Sequence, residues 1–195
     1  MATIRNRIRL YTRDKSKIDE LHSFTEQFSF EQIAPSPKAD DKAKTSCSYD
    51  NAILERWGTR DEPTNSGWVN DIDFIFDTNT TPPIPIFLKI LEKFNDIRFE
   101  FKFSSEDIGK NCGVLNAANG KVTSVIKFPD YSKLAYETAF ELRPHTQYEH
   151  KLNAITNTYE YNIEDIVECI QENGVFSEDR QTELILLDAN GKEVL

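Results

Sequence analysis

The sequence predicts an α+β fold in which two helices cover one face of an antiparallel-containing sheet. The runs "TIRNRIRLY", "DIDFIFDT" and "IRFEFKFS" alternate apolar and polar residues, which is the pattern of strands with one buried face. Apolar residues at helical spacing follow the first and the second of these runs. A chain that switches between the strand and the helix period in this way builds a sheet with helices packed against it.

The first half of this plan lies before residue 34. Ile4, Ile8 and Leu10 share one face of the first strand, and Asp14 is predicted to cap the first helix. "FSFEQI" is predicted to form the second strand, and the Pro, Lys, Asp and Ser content of the stretch after it is typical of a surface loop. The apolar stripe of the helix comprises Ile18, Leu21, Thr25 and Phe28.

The second half contains the third and fourth strands, "DIDFIFDT" and "IRFEFKFS". Between them, prolines open a helix with the apolar stripe Phe87, Ile90, Leu91 and Phe94. The order strand, helix, strand, strand, helix, strand is the split βαβ plan (βαββαβ) of a ferredoxin-like sandwich. Right-handed crossovers place the first strand between the third and the fourth, so the expected sheet order is fourth, first, third, second. Both helices are expected on the face that carries Ile4, Ile8, Phe74, Phe99 and Phe101.

An extra hairpin and an appendage complete the predicted architecture. The Asn119-Gly120 pair between alternating apolar runs predicts a hairpin turn. Beyond it, "DYSKLAYETAFELRP" and "YNIEDIVECIQENG" are predicted helices, and "TELILLDANGKEVL" is a predicted strand and turn. We therefore predict a ferredoxin-like α/β sandwich over residues 1–129 and an acidic C-terminal helical appendage with a terminal β-hairpin over residues 130–195.

Four short motifs in order carry a resemblance to a known family. They are Ile33-Ala34-Pro35-Ser36-Pro37, Trp57-Gly58-Thr59, "FDTNTTPPIPIF" and "FEFKFSSEDIGKNCGVL". Over residues 1 to 128 the chain resembles the YubB-type ferredoxin-like domain of uncharacterised plasmid and phage proteins. The resemblance implies a fold and a mobile-element origin, and it implies no established activity. The loop departs from the family pattern at Arg60 and Asp61, so its contacts are not carried over.

Both tryptophans of the chain fall in "NAILERWGTRDEPTNSGW", which we interpret as a polar, acidic loop. Trp57, followed by Gly58 and Thr59, is predicted to be a structural plug that folds back over the sheet or a helix end. Trp68 follows the pliable residues Asn65, Ser66 and Gly67, and we consider it a candidate anchor for a partner.

The net charge of −10 is concentrated in the last third of the chain. Residues 1–136 have 19 Lys/Arg and 20 Asp/Glu, whereas residues 137–195 have 4 and 13. An acidic surface repels phosphate backbones and attracts basic proteins. Besides Trp68, the candidate partner-binding residues are therefore the outward acidic residues of the predicted helix, namely Glu164, Asp165, Glu168 and Glu172. The alternative is an acidic face that serves only solubility.

The polar face of the first strand, Arg5, Arg7, Arg9 and Tyr11, is a candidate surface for nucleic acid. Ferredoxin-like sheets that bind RNA stack its bases on aromatic residues, and this face supplies one tyrosine. Asp73, Asp77 and Glu100 are expected on the neighbouring strands. Cross-strand ion pairing is therefore the competing interpretation.

The sequence predicts no catalytic residues, no metal site and no cofactor. The three cysteines, Cys47, Cys112 and Cys169, lie more than fifty residues apart and form no metal-binding pattern. His22, His145 and His150 are equally scattered.

No apolar run has the roughly 20 residues needed to cross a bilayer, and the first residues lack a signal-peptide pattern, so a cytoplasmic location in a bacterial host is expected.

Three hypotheses of function remain open at this point. The leading one is a non-catalytic phage or plasmid protein that binds a host protein with a basic surface, involved in defence or in nucleic-acid handling. The second is a nucleic-acid-binding module that uses the arginine-lined sheet. The third is an enzyme of unrecognised class, which a deep pocket with convergent polar groups would support.

Overall fold

The N-terminal strand lies in the centre of an antiparallel sheet. A computed structural model describes residues 2–36 and 46–161. Its helices are α1 Lys15–Thr25, α2 Phe30–Ile33, α3 Ser46–Trp57, α4 Ile84–Lys93 and α5 Lys133–Leu142, with a 3₁₀ helix at Pro144–Glu149. Its strands are β1 Thr3–Tyr11, β2 Thr64–Trp68, β3 Asp73–Asn79, β4 Arg98–Ser105, β5 Gly113–Ala118, β6 Lys121–Lys127, β7 His150–Asn153 and β8 Thr158–Tyr161. The predicted helix over "YNIEDIVECIQENG" and the terminal hairpin lie outside the described residues.

The described strands form a six-stranded sheet in the order β2-β3-β1-β4-β5-β6 and a separate β7–β8 pair. The first four strands of the chain thus have the order fourth, first, third, second, which confirms the predicted ferredoxin-like plan. In β1, Ile8 lies opposite Phe74 of β3 and Phe101 of β4. These three side chains point to one face of the sheet because directly opposed residues share a face.

The core lies on that face, between the sheet and the first four helices. Ile4, Ile8, Phe74, Phe99 and Phe101 are all buried there, as predicted. Leu21 of α1 and Phe87 of α4 belong to the same cluster, so both predicted helices cover one face. The rings of Phe87 and Phe101 stack with their centroids 4.8 Å apart.

The prediction for the second strand is wrong. "FSFEQI" contains the short helix α2, and the second strand is β2. Phe28 and Phe30 alternate like strand residues, yet both pack into the core from helical or irregular backbone. The Glu62 carboxylate accepts hydrogen bonds from the backbone N–H groups of Phe30 and Glu31 at 2.6 and 2.8 Å. Glu62, which is distant in sequence, therefore caps this helix. The local sequence does not reveal such a cap.

The loop predicted around the tryptophans is also wrong in part, because residues 46–57 form α3. Ile53 and Trp57, four residues apart, share the buried side of this helix and join the core. Gly58 follows with a φ of 80°, a conformation that glycine adopts without strain.

The predicted hairpin is present as β5 and β6. Asn119 and Gly120 between them have φ values of 54° and 68°, as a type I′ turn requires. The pair extends the sheet beyond β4. A register shift near Asn116 and Ala117 introduces a bulge into this edge.

Helix α5 packs on the opposite face of the sheet. The hydroxyl of Ser132 caps its N-terminus, and Ala135 and Ala139 lie against Cys112. The β7–β8 pair packs in turn on α5 through Tyr159, whose ring centroid is 5.0 Å from that of Phe140.

The domain boundary predicted at residue 129 stays a prediction. None of the helices in the described ranges is long and apolar enough to cross a membrane.

Candidate functional site

The face of the sheet under α5 carries a network of ion pairs. Arg5 lies opposite Asp77 and Arg9 opposite Asp73 in the β1–β3 register. Arg5 donates to both oxygens of Asp77 at 2.9 Å, and Arg9 donates to both oxygens of Asp73 at 2.6 and 2.8 Å. Such two-bond pairs fix the planes of both guanidinium groups.

Arg7 lies at the centre of this network and is buried. Its Nη2 donates to Glu100 at 3.0 Å and to Glu141 of α5 at 2.7 Å. Its Nε has no hydrogen-bond partner, since the nearest carboxylate oxygen, Oδ1 of Asp73, is 3.7 Å away. Lys102 donates to the second oxygen of Glu141 at 2.6 Å. Glu141 therefore joins α5 to two strands of the sheet.

The carboxylates of this network are held in the charged form. Burial alone would raise the pKa of Asp77, but hydrogen bonds from Arg5 and Asn65 outweigh it and lower that pKa. The pKa of Asp73 is lowered in the same way by Arg9 and Asn70, against the effect of burial. Lys102 and Arg7 lower the pKa of Glu141, again against burial.

Arg143, the C-cap residue of α5, differs from the other cations. Its side chain is buried and donates to the hydroxyl of Ser104 at 2.7 Å and to the carbonyl oxygen of Ser104 at 3.2 Å. Burial lowers its pKa, and the neighbouring Arg5 lowers it further, whereas Asp77 and Glu106 raise it. No described carboxylate lies within 4.0 Å of it.

A pocket of about 460 Å³ opens beside these cations, between the sheet and the C-terminal end of α5. Its charged lining comes from β1, β3 and α5, and its apolar wall from Val69, Ile75, Leu142 and Pro144. The charged residues that line it are Arg5, Arg7, Arg9, Asp73 and Glu141.

The structure places the residues of the predicted nucleic-acid surface in this network. Arg5, Arg7 and Arg9 pair with the acids of the neighbouring strands, which is the competing interpretation given above. Tyr11 is half exposed at the end of β1, and the Arg98 guanidinium lies 5.2 Å from its ring centroid. Sequence reasoning missed Glu141 and Arg143, because only the docking of α5 brings them to this face.

Trp57 is buried, and its contacts are those of a residue that stabilises the fold. Its indole N–H donates to the carbonyl oxygen of Ala34 at 2.7 Å. Gly58 lies against Pro85 and the carbonyl oxygen of Pro82, where a Cβ atom would approach to 2.7 and 3.1 Å. Thr59 is fully buried and donates to the carbonyl oxygen of Asn79 at 2.8 Å. The motif thus joins the end of α3 to the segment that leads into α4.

Trp68, the predicted anchor, is only partly exposed. Its indole N–H donates to the hydroxyl of Thr25 at 2.8 Å, and the His22 ring stacks on it with centroids 3.9 Å apart. The side chain packs against the core cluster at the β2 edge of the sheet. Its contacts in the described structure therefore account for this tryptophan, and its role as an anchor stays a prediction.

The other predicted partner-binding residues, Glu164, Asp165, Glu168 and Glu172, lie outside the described residues. The chain leading to them exposes large apolar side chains. Tyr148 is 80% exposed and Ile155, in the β7–β8 turn, is 95% exposed. We call Tyr148, Leu152, Ile155 and Tyr161 the outer hairpin surface; all four are exposed.

The described residues show no arrangement typical of a reactive centre. Burial raises the pKa of the Cys112 thiol to about 12, so this cysteine is protonated and unreactive. Within residues 2–36 and 46–161, no three His, Cys, Asp or Glu side chains are grouped as a metal ion would need. Cys169 falls in the part of the chain that is not described.

Comparison with known proteins supports the fold. Residues 55–146 match the family model described as the ferredoxin-like domain in Api92-like protein. This part of the chain is similar to that domain. The match includes β2 to β6, α4 and α5, and its description agrees with the ferredoxin-like architecture of the structure. No curated protein and no solved structure matches the chain.

Proposed function

We propose that this chain is a non-catalytic binding protein that acts by contact with another protein. The observation that carries the proposal is the outer hairpin surface, where four large apolar side chains are exposed within residues 148–161. Exposed aromatic and aliphatic residues are typical of protein interaction sites, and these four lie within 14 residues of sequence. Tyrosine in particular supplies large contact area at low cost in conformational entropy.

The partner that fits this surface is a protein with a basic face. Residues 137–195 contain 13 Asp/Glu and only 4 Lys/Arg, and the outer hairpin surface lies within this acidic part of the chain. Long-range attraction would speed association with a basic protein, while the exposed apolar side chains would supply short-range affinity. Together with the resemblance to plasmid and phage proteins, this favours a host protein as the partner, one of the host's defence or nucleic-acid-handling factors.

The charged face of the sheet supports protein binding over nucleic-acid binding. Each of Arg5, Arg7 and Arg9 is within 3.0 Å of a carboxylate oxygen, and α5 covers part of this face. A phosphate backbone would have to displace these carboxylates. Catalysis is equally disfavoured, because carboxyl groups with lowered pKa values are weak bases and a buried neutral thiol is a poor nucleophile.

Site-specific photocrosslinking in bacterial lysate tests the proposal. A photoreactive amino acid at position 155 should give one dominant adduct with a basic protein, and the yield should fall as salt is raised. The matched control carries the same amino acid at Val69, which is 63% exposed on another surface and should give no such adduct. Equal adducts from both positions, or an acidic partner, would contradict the proposal.

A titration with short single-stranded RNA and DNA tests the alternative. Fluorescence anisotropy at low salt should show no saturable binding, because a phosphate backbone would meet the carboxylates that pair with these arginines. Binding that weakens steeply with salt and disappears in an Arg5→Gln/Arg9→Gln double variant would instead establish a nucleic-acid-binding module.

A further inference from the structure

The carboxylates under α5 are all paired. The network contains four carboxylates, which belong to Asp73, Asp77, Glu100 and Glu141, and each of them pairs with a cation. Four cations pair with them, namely Arg5, Arg7, Arg9 and Lys102. Arg143 is buried nearby, but it does not line the pocket, and Asp77 and Glu106 act on it at longer range. Buried donors are ordinarily hydrogen-bonded, so a donor that these carboxylates leave unused calls for another acceptor.

Hydrogen-bond donors are left over beside the pocket. A guanidinium has five N–H donors. The Nε of Arg7 is buried without a partner, and the hydrogen bonds of its side chain to described residues all come from Nη2. Arg5 donates through Nε and Nη2 only, and so does Arg9. The Nη1 groups of three arginines on one strand face therefore have donors to spare beside the same pocket.

The shape and lining of the pocket narrow the kind of ligand. About 460 Å³ is the size of a small-molecule site and far below that of a polymer groove. Besides the charged groups, the lining contains the apolar residues Val69, Ile75, Leu142 and Pro144. The unused N–H donors match one anionic group, and the apolar lining matches a hydrocarbon body attached to it.

We propose that this pocket binds a small organic anion, with its carboxylate on the free donors of Arg5, Arg7 and Arg9 and its apolar part against Val69 and Leu142. Such a site is separate from the outer hairpin surface and does not depend on the function proposed above. The bound carboxylate satisfies donors that neighbouring side chains leave unused.

Benzoate is a suitable probe because it joins one carboxylate to a flat apolar ring. Titration of the full chain, followed through its amide NMR signals, should shift the resonances of β1 and of the C-terminal end of α5 in a saturable way. Benzamide, the neutral isostere, should produce no saturable shift. Inorganic phosphate tests whether charge alone suffices, and it should bind at least about tenfold more weakly than benzoate.

Two exposed valines provide a matched pair of variants. Val69→Trp adds a large side chain to the lining of the pocket and should weaken benzoate binding at least about tenfold, whereas Val125→Trp, at a residue of similar exposure on β6, should leave it unchanged. Arg9→Gln, which removes one of the guanidinium groups that line the pocket, should also weaken binding about tenfold. Equal binding of benzoate and benzamide, equal binding of benzoate and phosphate, or an unchanged affinity in Val69→Trp would each overturn the assignment.

Discussion

The indole of Trp57 donates its N–H to the backbone carbonyl oxygen of Ala34, at 2.7 Å and across 23 residues of sequence. The bond joins the last residue of α3 to the residue that ends α2. Both partners are buried, so water cannot replace either of them. The hydrogen bond also places the indole edge-on to Phe30, with centroids 5.9 Å apart.

Trp57→Phe should lower the free energy of unfolding by about 1 to 3 kcal/mol, because the carbonyl group of Ala34 would remain buried without a donor. Urea denaturation followed by circular dichroism measures this change. Trp68→Phe is the comparison, and it should cost less, because Thr25 retains its hydrogen bonds to the carbonyl oxygens of Leu21 and His22. A larger loss at Trp68 than at Trp57 would contradict the structural role of the buried indole.

Gly58→Ala should destabilise the protein by about 1 to 3 kcal/mol, since residues with a side chain are strained at positive φ. The new Cβ would also lie 2.7 Å from the Cδ of Pro85. Gly67→Ala is the control, because nothing lies within 4 Å of its Cβ position, and it should change stability by less than about 1 kcal/mol. Thermal unfolding of the two variants side by side distinguishes these outcomes.

Phe101→Ala should cost about 3 to 5 kcal/mol, because it opens a cavity between the sheet and α4. The ring is fully buried and stacks on Phe87. Val125→Ala, at a residue that is 66% exposed, should stay within about 0.5 kcal/mol of the parent. The measurement is the urea midpoint at constant m-value. A loss below about 1 kcal/mol at Phe101 would show that it does not lie in the core.

Stability should fall on acidification. The pKa values of Asp73, Asp77 and Glu141 are lowered in the folded protein, from ordinary values of 3.8 for Asp and 4.5 for Glu. The unfolded chain therefore binds protons at a higher pH than the folded one, so their contribution is complete above pH 5 and is lost as the pH falls through the folded values. Urea midpoints measured from pH 7 down to about pH 3 check this.

Asp77→Asn provides the control for this pH dependence. It removes one carboxylate and leaves Arg5 without its ion-pair partner, so the variant should be less stable than the parent at pH 7. The difference between the two proteins should shrink as the pH falls, because protonation removes the same charge from the parent. A constant difference over the whole pH range would show that Asp77 does not titrate between the two states.

The strongest elements of the fold were predictable because large apolar residues repeat on one face. Phe99, Phe101 and Phe103 alternate with other residues, and a β-strand is the backbone conformation that places all three rings on one buried face. The Asn119-Gly120 turn was predictable for a similar reason, since few residue pairs adopt positive φ at both positions. The pairing of Arg5 with Asp77 was predictable because β1 and β3 were expected to be adjacent strands.

The remaining elements depend on tertiary contacts that local sequence does not encode. Strand β2 contains Asn65, Ser66 and Gly67, which have low strand propensity, and pairing with β3 determines its conformation. Within residues 50–57 of helix α3, only Ile53 and Trp57 are buried, too few residues for a clear stripe. Glu141 reaches Arg7 across 134 residues, so the central ion pair becomes visible only when α5 is placed.

The position of β1 affects how the chain folds during synthesis. Ile8 pairs with Phe74 and with Phe101, so β1 receives its second neighbour only after 93 more residues have been added. At typical translation rates this takes about 5 to 20 s. During that interval the apolar face of β1 has no complete sheet to join, and chaperones that bind extended apolar segments have time to reach it. Chains released before residue 105 would lack the strand that closes the centre of the sheet, and we expect them to aggregate or to be degraded.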